Sequence, residues 1–350
     1  MNEEWKSFLQ GQGAVLDGGH VSHFGNPAVE IQAAKDRTIL ADLSHLALLR
    51  AHGPDAQSFL NSQLSNDLRL LDDAHSQLNS YCSAKGRMLA VFRVFRRDSD
   101  YLLQLPASLR EDMLKRLRMF VMRAKVTIED AGNELSRFGL SGPEANKILR
   151  NAIGFVADGA DACVTRDSTT VANLPGPHRR YEIIAPSAQA AELWKKLKSG
   201  TVISGSGAWA WLDMMAGIPV VYPQTSEAFV PQMANLELVG GVNFKKGCYP
   251  GQEIVARMQY LGKLKQRMYR VHVITSTPPQ PGDAIYAPGF PGQSAGTVVD
   301  AQPSPEGGHD LLAVIQISSA EAGELHLGSE MGPRLSKQPL PYLFPGIAGP

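Results

Sequence analysis

The spacing of apolar residues predicts strands over 38–43 and 46–50. Gly53-Pro54 then opens a helix whose apolar stripe is Ala56, Phe59, Leu60 and Leu64, with proline suited to the first helical position. Residues 77–82 and 88–95 read as a hairpin turned by Ser83-Ala84-Lys85-Gly86-Arg87. A strand over 101–105 follows, then an amphipathic helix over 109–122 with Leu109, Met113, Leu117 and Phe120 on one face. A second passage repeats this mixture. Strands are predicted over 125–129, 137–140, 169–174, 180–184 and 201–204, and helices over 143–149, 188–197 and 206–216, the last stopped by Gly217.

Beyond about Lys265 the helical period disappears. Short runs at 268–274, 283–286, 295–300, 311–318 and 324–327 are separated by Pro/Gly clusters at 278–282 and 288–292, the pattern of a small β-barrel. The chain therefore reads as α+β, with a first lobe over 1–130, a second over 131–264 and a C-terminal barrel over 265–350.

The 350 residues are 43% hydrophobic, enough to bury more than one core, and net charge is zero, unlike a disordered chain or a generally basic nucleic-acid binder. The first residues carry no basic segment followed by an apolar run, and no apolar run is long enough to span a bilayer. Cys82, Cys163 and Cys248 are three in number and widely spaced, which argues against a disulfide framework or a zinc ribbon and fits a reducing cytoplasm. His20 and His23 have HxxH spacing without other ligands, so no metal site is expected. Gly205-Ser206-Gly207-Ala208-Trp209-Ala210 matches a dinucleotide fingerprint but lacks the βαβ order around it; it reads as an ordinary helix start.

The densest chemistry lies at Lys246-Gly247-Cys248-Tyr249-Pro250-Gly251-Gln252-Glu253. Its glycines permit sharp turns and close approach. From Gln252 onward, Ile254, Val255 and Met258 have helical spacing, and Glu253 and Arg257 stand in the favoured order for a helical ion pair. Cys248 thus sits just ahead of a helix start, beside Lys245, Lys246 and Arg257, where a thiolate is stabilised. The plainer alternative is a buried cysteine packed beside Tyr249. From Lys245 to Arg270 there are seven bases and one acid, a basic run able to attract phosphate or carboxylate groups, or else a solvated linker.

The octapeptide, continued by Ala256-Arg257, resembles the signature of the YgfZ family, relatives of the glycine cleavage T-protein and of folate-dependent demethylases. Weaker matches are Asp42-Leu43-Ser44-His45, Ser83–Met88, Ala216-Gly217-Ile218-Pro219, Pro231–Glu237 and Leu340-Pro341-Tyr342, so the resemblance covers nearly the whole length. It implies a T-protein-like ring of three domains that binds tetrahydrofolate or a folate derivative. It also implies a cytoplasmic role in assembling or repairing iron–sulfur proteins, including enzymes that modify tRNA, with Fe–S clients or assembly proteins as partners. Cys248 becomes the functional thiol. Lys85, Gly86, Arg87, Asp213, Lys246, Gly247, Tyr249, Gly251, Gln252, Glu253 and Arg257 become folate-binding or motif residues, with Tyr249 able to stack on a flat ring.

The chain departs from the T-protein where that protein carries Gly-Gly-x-x-Asp-Asp. Here Leu89 and Ala90 stand in the acidic positions, and neither transfers a proton. The T-protein's Arg-x-Glu-Ala-Gly is Asp213-Met214-Met215-Ala216-Gly217. The resemblance therefore points away from aminomethyl transfer. Three functions stay open: a folate-binding accessory protein, a tetrahydrofolate-dependent transferase or demethylase, and a tRNA-binding module using the run from Lys245 to Arg270.

Overall fold

The computed structural model describes residues 1–288 and 292–344. The turn cluster expected at 288–292 lies partly outside them. The chain divides into two compact units: residues 1–60, 68–77 and 92–212 form the first, and 61–67, 78–91 and 213–350 the second.

The first unit holds a six-stranded sheet in the order Cys163–Arg166, Thr169–Leu174, Arg180–Pro186, Leu135–Ser141, Ile39–Asp42, Val202–Ser204. Only the last pairing is parallel. Residues on a strand alternate between faces. Phe138 and Leu140 therefore join an apolar core with Leu40, Tyr181, Ile183, Trp5 and Trp194. Phe138 meets Trp194 edge-on at 5.9 Å. Arg137, Gly139 and Ser141 point the other way. Gly139 is glycine because a Cβ there would lie 2.1 Å from the Trp209 ring. That ring also stacks under the Arg180 guanidinium at 4.9 Å. Opposite, Gln104 donates to the fully buried Glu182 at 3.1 Å.

Two N-terminal helices, Glu3–Gly11 and Pro27–Asp36, were not among the predicted elements. Their signals were caps rather than periodicity: the Asn2 and Asn26 side chains accept from Trp5 N and Val29 N, and Pro27 opens the second helix. The helix predicted over 109–122 is shorter, Arg110–Met119, because Met122 takes a left-handed φ of 44° in the turn that follows. At the dinucleotide-like segment, Gly205 lets the chain pass within contact of Ser22, where a Cβ would meet its carbonyl oxygen at 2.0 Å. The Gly205 N–H donates to the buried Glu30 carboxylate at 2.8 Å, so a side chain of the protein occupies that helix start.

In the second unit six strands form the C-terminal sheet. Their order is His326–Leu327, Ala284–Tyr286, Gly296–Pro303, His309–Gln316, Gln266–Val273, Leu335–Gln338. Val271, Val273, Ile285, Val298, Leu311, Ala313, Ile315 and Leu325 fill its concave side. The two outer strands meet through a His326–Arg334 bridge and a Leu335 N–H to Leu325 carbonyl bond of 2.8 Å, so the sheet curls toward closure. The sixth strand, Leu335–Gln338, lacks an apolar alternation and was not predicted. The strand expected over 311–318 stops at Gln316, and Ile317–Ala322 is a helix.

Candidate functional site around Cys248

The hairpin tip and the cysteine loop both belong to the second unit, and they touch. Gly86 (φ 69°) and Gly251 (φ 77°) lie in the left-handed region. A Cβ on Gly251 would stand 2.4 Å from the Ser83 carbonyl oxygen and 2.5 Å from Gly86 Cα; one on Gly86 would stand 2.9 Å from Ile254 Cβ. No larger residue fits at either place without moving main chain. The turn closes through Ser83 N–H to Arg87 O and Gly86 N–H to Ser83 O, at 2.8 and 2.9 Å. From Gly251 the helix Gln252–Tyr260 begins, as the spacing predicted.

Lys246 is buried. Its Nζ donates to the main-chain carbonyls of Asn61 (2.6 Å), Leu64 and Asn66 (3.0 Å), and lies 5.1 Å from the centre of the Tyr249 ring. This corrects the expectation that Lys246 serves the Cys248 thiol: its charge is spent on the segment 61–66. Tyr249 is likewise buried, and burial raises its phenol pKa. Gln252 does not cap the helix; its Nε2 donates back to the Lys246 carbonyl at 3.2 Å. Glu253 and Arg257 are both exposed, and among the described residues no ion pair joins them. Arg87 is half-buried and donates to the carbonyls of Glu227 and Ala228. Lys85 is exposed, and Leu89 and Ala90 are buried strand residues.

Against this fixed frame Cys248 is exposed, as are Gly247 and Lys245. Cys82 and Cys163 are buried, and burial pushes their thiols up to about 11 and about 12. The basic run is smaller than its sequence suggests. Besides Lys246, Arg267 is tied to the buried Glu237 carboxylate and to the Gln232 carbonyl, and Arg270 is half-buried against Met215. Lys245, Arg257, Lys263 and Lys265 remain on the surface.

Three of the scattered signature segments converge. Gly217 (φ 66°) leaves room for Tyr342, whose hydroxyl donates to the Gly217 carbonyl at 2.9 Å and accepts from Asn235 Nδ2 at 3.4 Å. Asn235 also donates to Met268 O, and Gln232 to Val255 O within the cysteine-loop helix, each at 2.7 Å. Asp213 is half-exposed at the end of its helix. Near it lies one acid that the sequence reading missed, Asp300, with Tyr222 beside it. Tyr222 donates to Asp300 at 3.4 Å. Burial, opposed by bonds from Gln302 and Ala301 and aided by Asp213, lifts Asp300 to about 6. Asp300 follows a bulge in its strand, a register break that the short apolar pattern does not reveal.

Residues 20–246 match the family model described as the GCVT N-terminal domain. The aminomethyltransferase T of the glycine cleavage system from Bartonella henselae has the same fold, with a TM-score of 0.78 over 96% of both chains at 18% identity. The chain is thus a GCVT-domain protein. Within that class it belongs to the YgfZ family. The tRNA-modifying protein YgfZ of Colwellia psychrerythraea is 33% identical over 87% of this chain and 93% of its own, and that of Klebsiella pneumoniae 31% over 87% and 92%. Among the described residues no helix is long and apolar enough to cross a membrane.

Proposed function

We propose that this protein is a folate-binding accessory factor for iron–sulfur cluster assembly or repair, serving enzymes that modify tRNA, with Cys248 as its working thiol. The observation that carries this reading is the contrast among the cysteines. Two are buried with raised pKa, while the third is presented to solvent on a loop held by Gly86, Gly251 and Lys246. A loop so fixed presents one thiol in one place, which suits ligation of a partner's metal, or attack on a partner's disulfide with its second sulfur leaving as a thiol. The family relatives' name, tRNA-modifying protein, supplies the process.

Folate suits the donor set present. The amide and amino edge of a pterin offers N–H donors, and a carboxylate accepts only. Asp213 supplies such a carboxylate, half-exposed beside the Tyr222–Asp300 pair, and the exposed ammonium of Lys85 suits a glutamate tail. Bound tetrahydrofolate would supply a carrier of one-carbon units. Leu89 and Ala90 offer no proton acceptor where the T-protein has acids, so the reading favours binding over aminomethyl transfer.

Calorimetric titration of tetrahydrofolate into wild-type protein, Asp213→Asn and Cys248→Ala tests both parts. Binding by wild type and Cys248→Ala, weakened in Asp213→Asn, is expected. No binding by the wild type refutes the folate assignment. Full activity of tRNA-modifying Fe–S enzymes in cells carrying Cys248→Ala refutes the role of the thiol.

A further inference from the structure

On the helix Gln252–Tyr260, Arg257 and Tyr260 are three residues apart and share one face, with Leu261 next to it. Tyr260 is 67% exposed and Leu261 84%. The Tyr260 ring meets Phe244 edge-on at 6.1 Å, which brings Lys245, the next residue, to the same patch. Lys263 and Lys265 continue it beyond the helix, both exposed. Four exposed cations thus lie close in sequence to an exposed aromatic ring or to its partner Phe244, with Glu253 the one acid in the segment from Lys245 to Arg270. Cys248 lies in the loop that joins Lys245 to this helix.

An aromatic face among cations is what unpaired nucleotides require. Each base offers a flat ring to stack on, and each phosphate a charge. Duplex RNA hides its bases and gains nothing from the ring. An acidic protein surface would use the cations but leave Tyr260 without a role.

We propose that this face, Lys245, Arg257, Tyr260, Lys263 and Lys265, binds RNA directly at an unpaired loop. Tyr260 stacks on a base and the four cations take the flanking phosphates. The proposal rests on the reading of the chain as a factor in tRNA modification, and deepens it by naming the contact.

Fluorescence anisotropy with a labelled RNA hairpin bearing a seven-nucleotide loop, a fully paired duplex and poly-glutamate tests it, using the full chain. The hairpin should bind and the other two should not compete. The log–log salt slope should be about −3, as four cations on single-stranded RNA give. Tyr260→Ala should weaken binding by roughly 10-fold or more and Tyr260→Phe should retain it. Lys263→Gln/Lys265→Gln should reduce the slope, while Lys115→Gln, an exposed base on another helix, should change nothing. Equal binding of duplex, competition by poly-glutamate, or indifference to Tyr260→Ala overturns the proposal. Folate titration of the same samples separates the two readings: folate binding without RNA binding removes this face alone.

Discussion

Replacing Gly251 by alanine isolates what the hairpin–loop contact contributes. The left-handed φ of 77° costs an L-residue roughly 1 kcal/mol. The added methyl would stand 2.4 and 2.5 Å from Ser83 O and Gly86 Cα, both main-chain atoms with no rotamer to escape into. Overpacking of that kind costs typically about 1–3 kcal/mol. Gly251→Ala should therefore destabilise the protein by about 2–4 kcal/mol. Gly247 is the control, three residues before the cysteine loop's proline, with φ outside the left-handed region and open space where its Cβ would go. Gly247→Ala should stay within about 0.5 kcal/mol of wild type. Urea unfolding gives both numbers. Amide exchange at Ser83 and Gly86, whose N–H groups close the turn, locates the damage. A Gly251→Ala protein as stable as wild type, with these amides still protected, would refute the account of the loop as held by backbone contact.

Other expectations follow from the same geometry. Lys246→Met removes an ammonium that satisfies at least three carbonyls and should cost about 2–4 kcal/mol, measured by urea unfolding, with Lys246→Arg giving little rescue because a planar fork does not match the cage. Arg267→Ala leaves the Glu237 carboxylate buried without its partner and should destabilise by about 3–5 kcal/mol, whereas Lys263→Ala should be neutral in the same melt. Asp300, raised to about 6 when folded, holds its proton more tightly in the native state. Its stabilisation is present below about pH 4 and lost as pH rises through about 6, so Asp300→Asn should gain on wild type between pH 4 and 8 by on the order of 1–3 kcal/mol. Iodoacetamide at pH 7.5 should label Cys248 in the native protein and leave Cys82 and Cys163 unmodified by mass spectrometry until urea is added.

The amphipathic helices were legible because each buries one face and so carries a clear period, as Ser187–Lys198 does with Ala190, Leu193, Trp194 and Leu197. The N-terminal helices were missed because their starts are written in single cap residues. The octapeptide announced its turn and its helix through glycine and proline, which act on the backbone locally. What Lys246 does was not legible, since its partners are carbonyls of residues 61–66, which carry no side-chain signature. The basic run looked uniform in sequence because the acceptors of Arg267 and Lys246 lie far along the chain, at Glu237 and Asn61. The aromatic component of the surface, Phe244 with Tyr260, needed the loop and the helix to be folded together before it could be seen.

The cage around Lys246 also bears on synthesis. Asn61, Leu64 and Asn66 leave the ribosome some 180 residues before the ammonium they are to hold. At about 5–20 residues per second that is a wait of roughly 10–40 s. During that time the carbonyls of Asn61, Leu64 and Asn66 lack the ammonium that binds them in the folded protein. The cysteine loop is therefore among the later parts of the molecule to become ordered. A chain cut short before Lys246 would leave the carbonyls of Asn61, Leu64 and Asn66 without the ammonium that binds them.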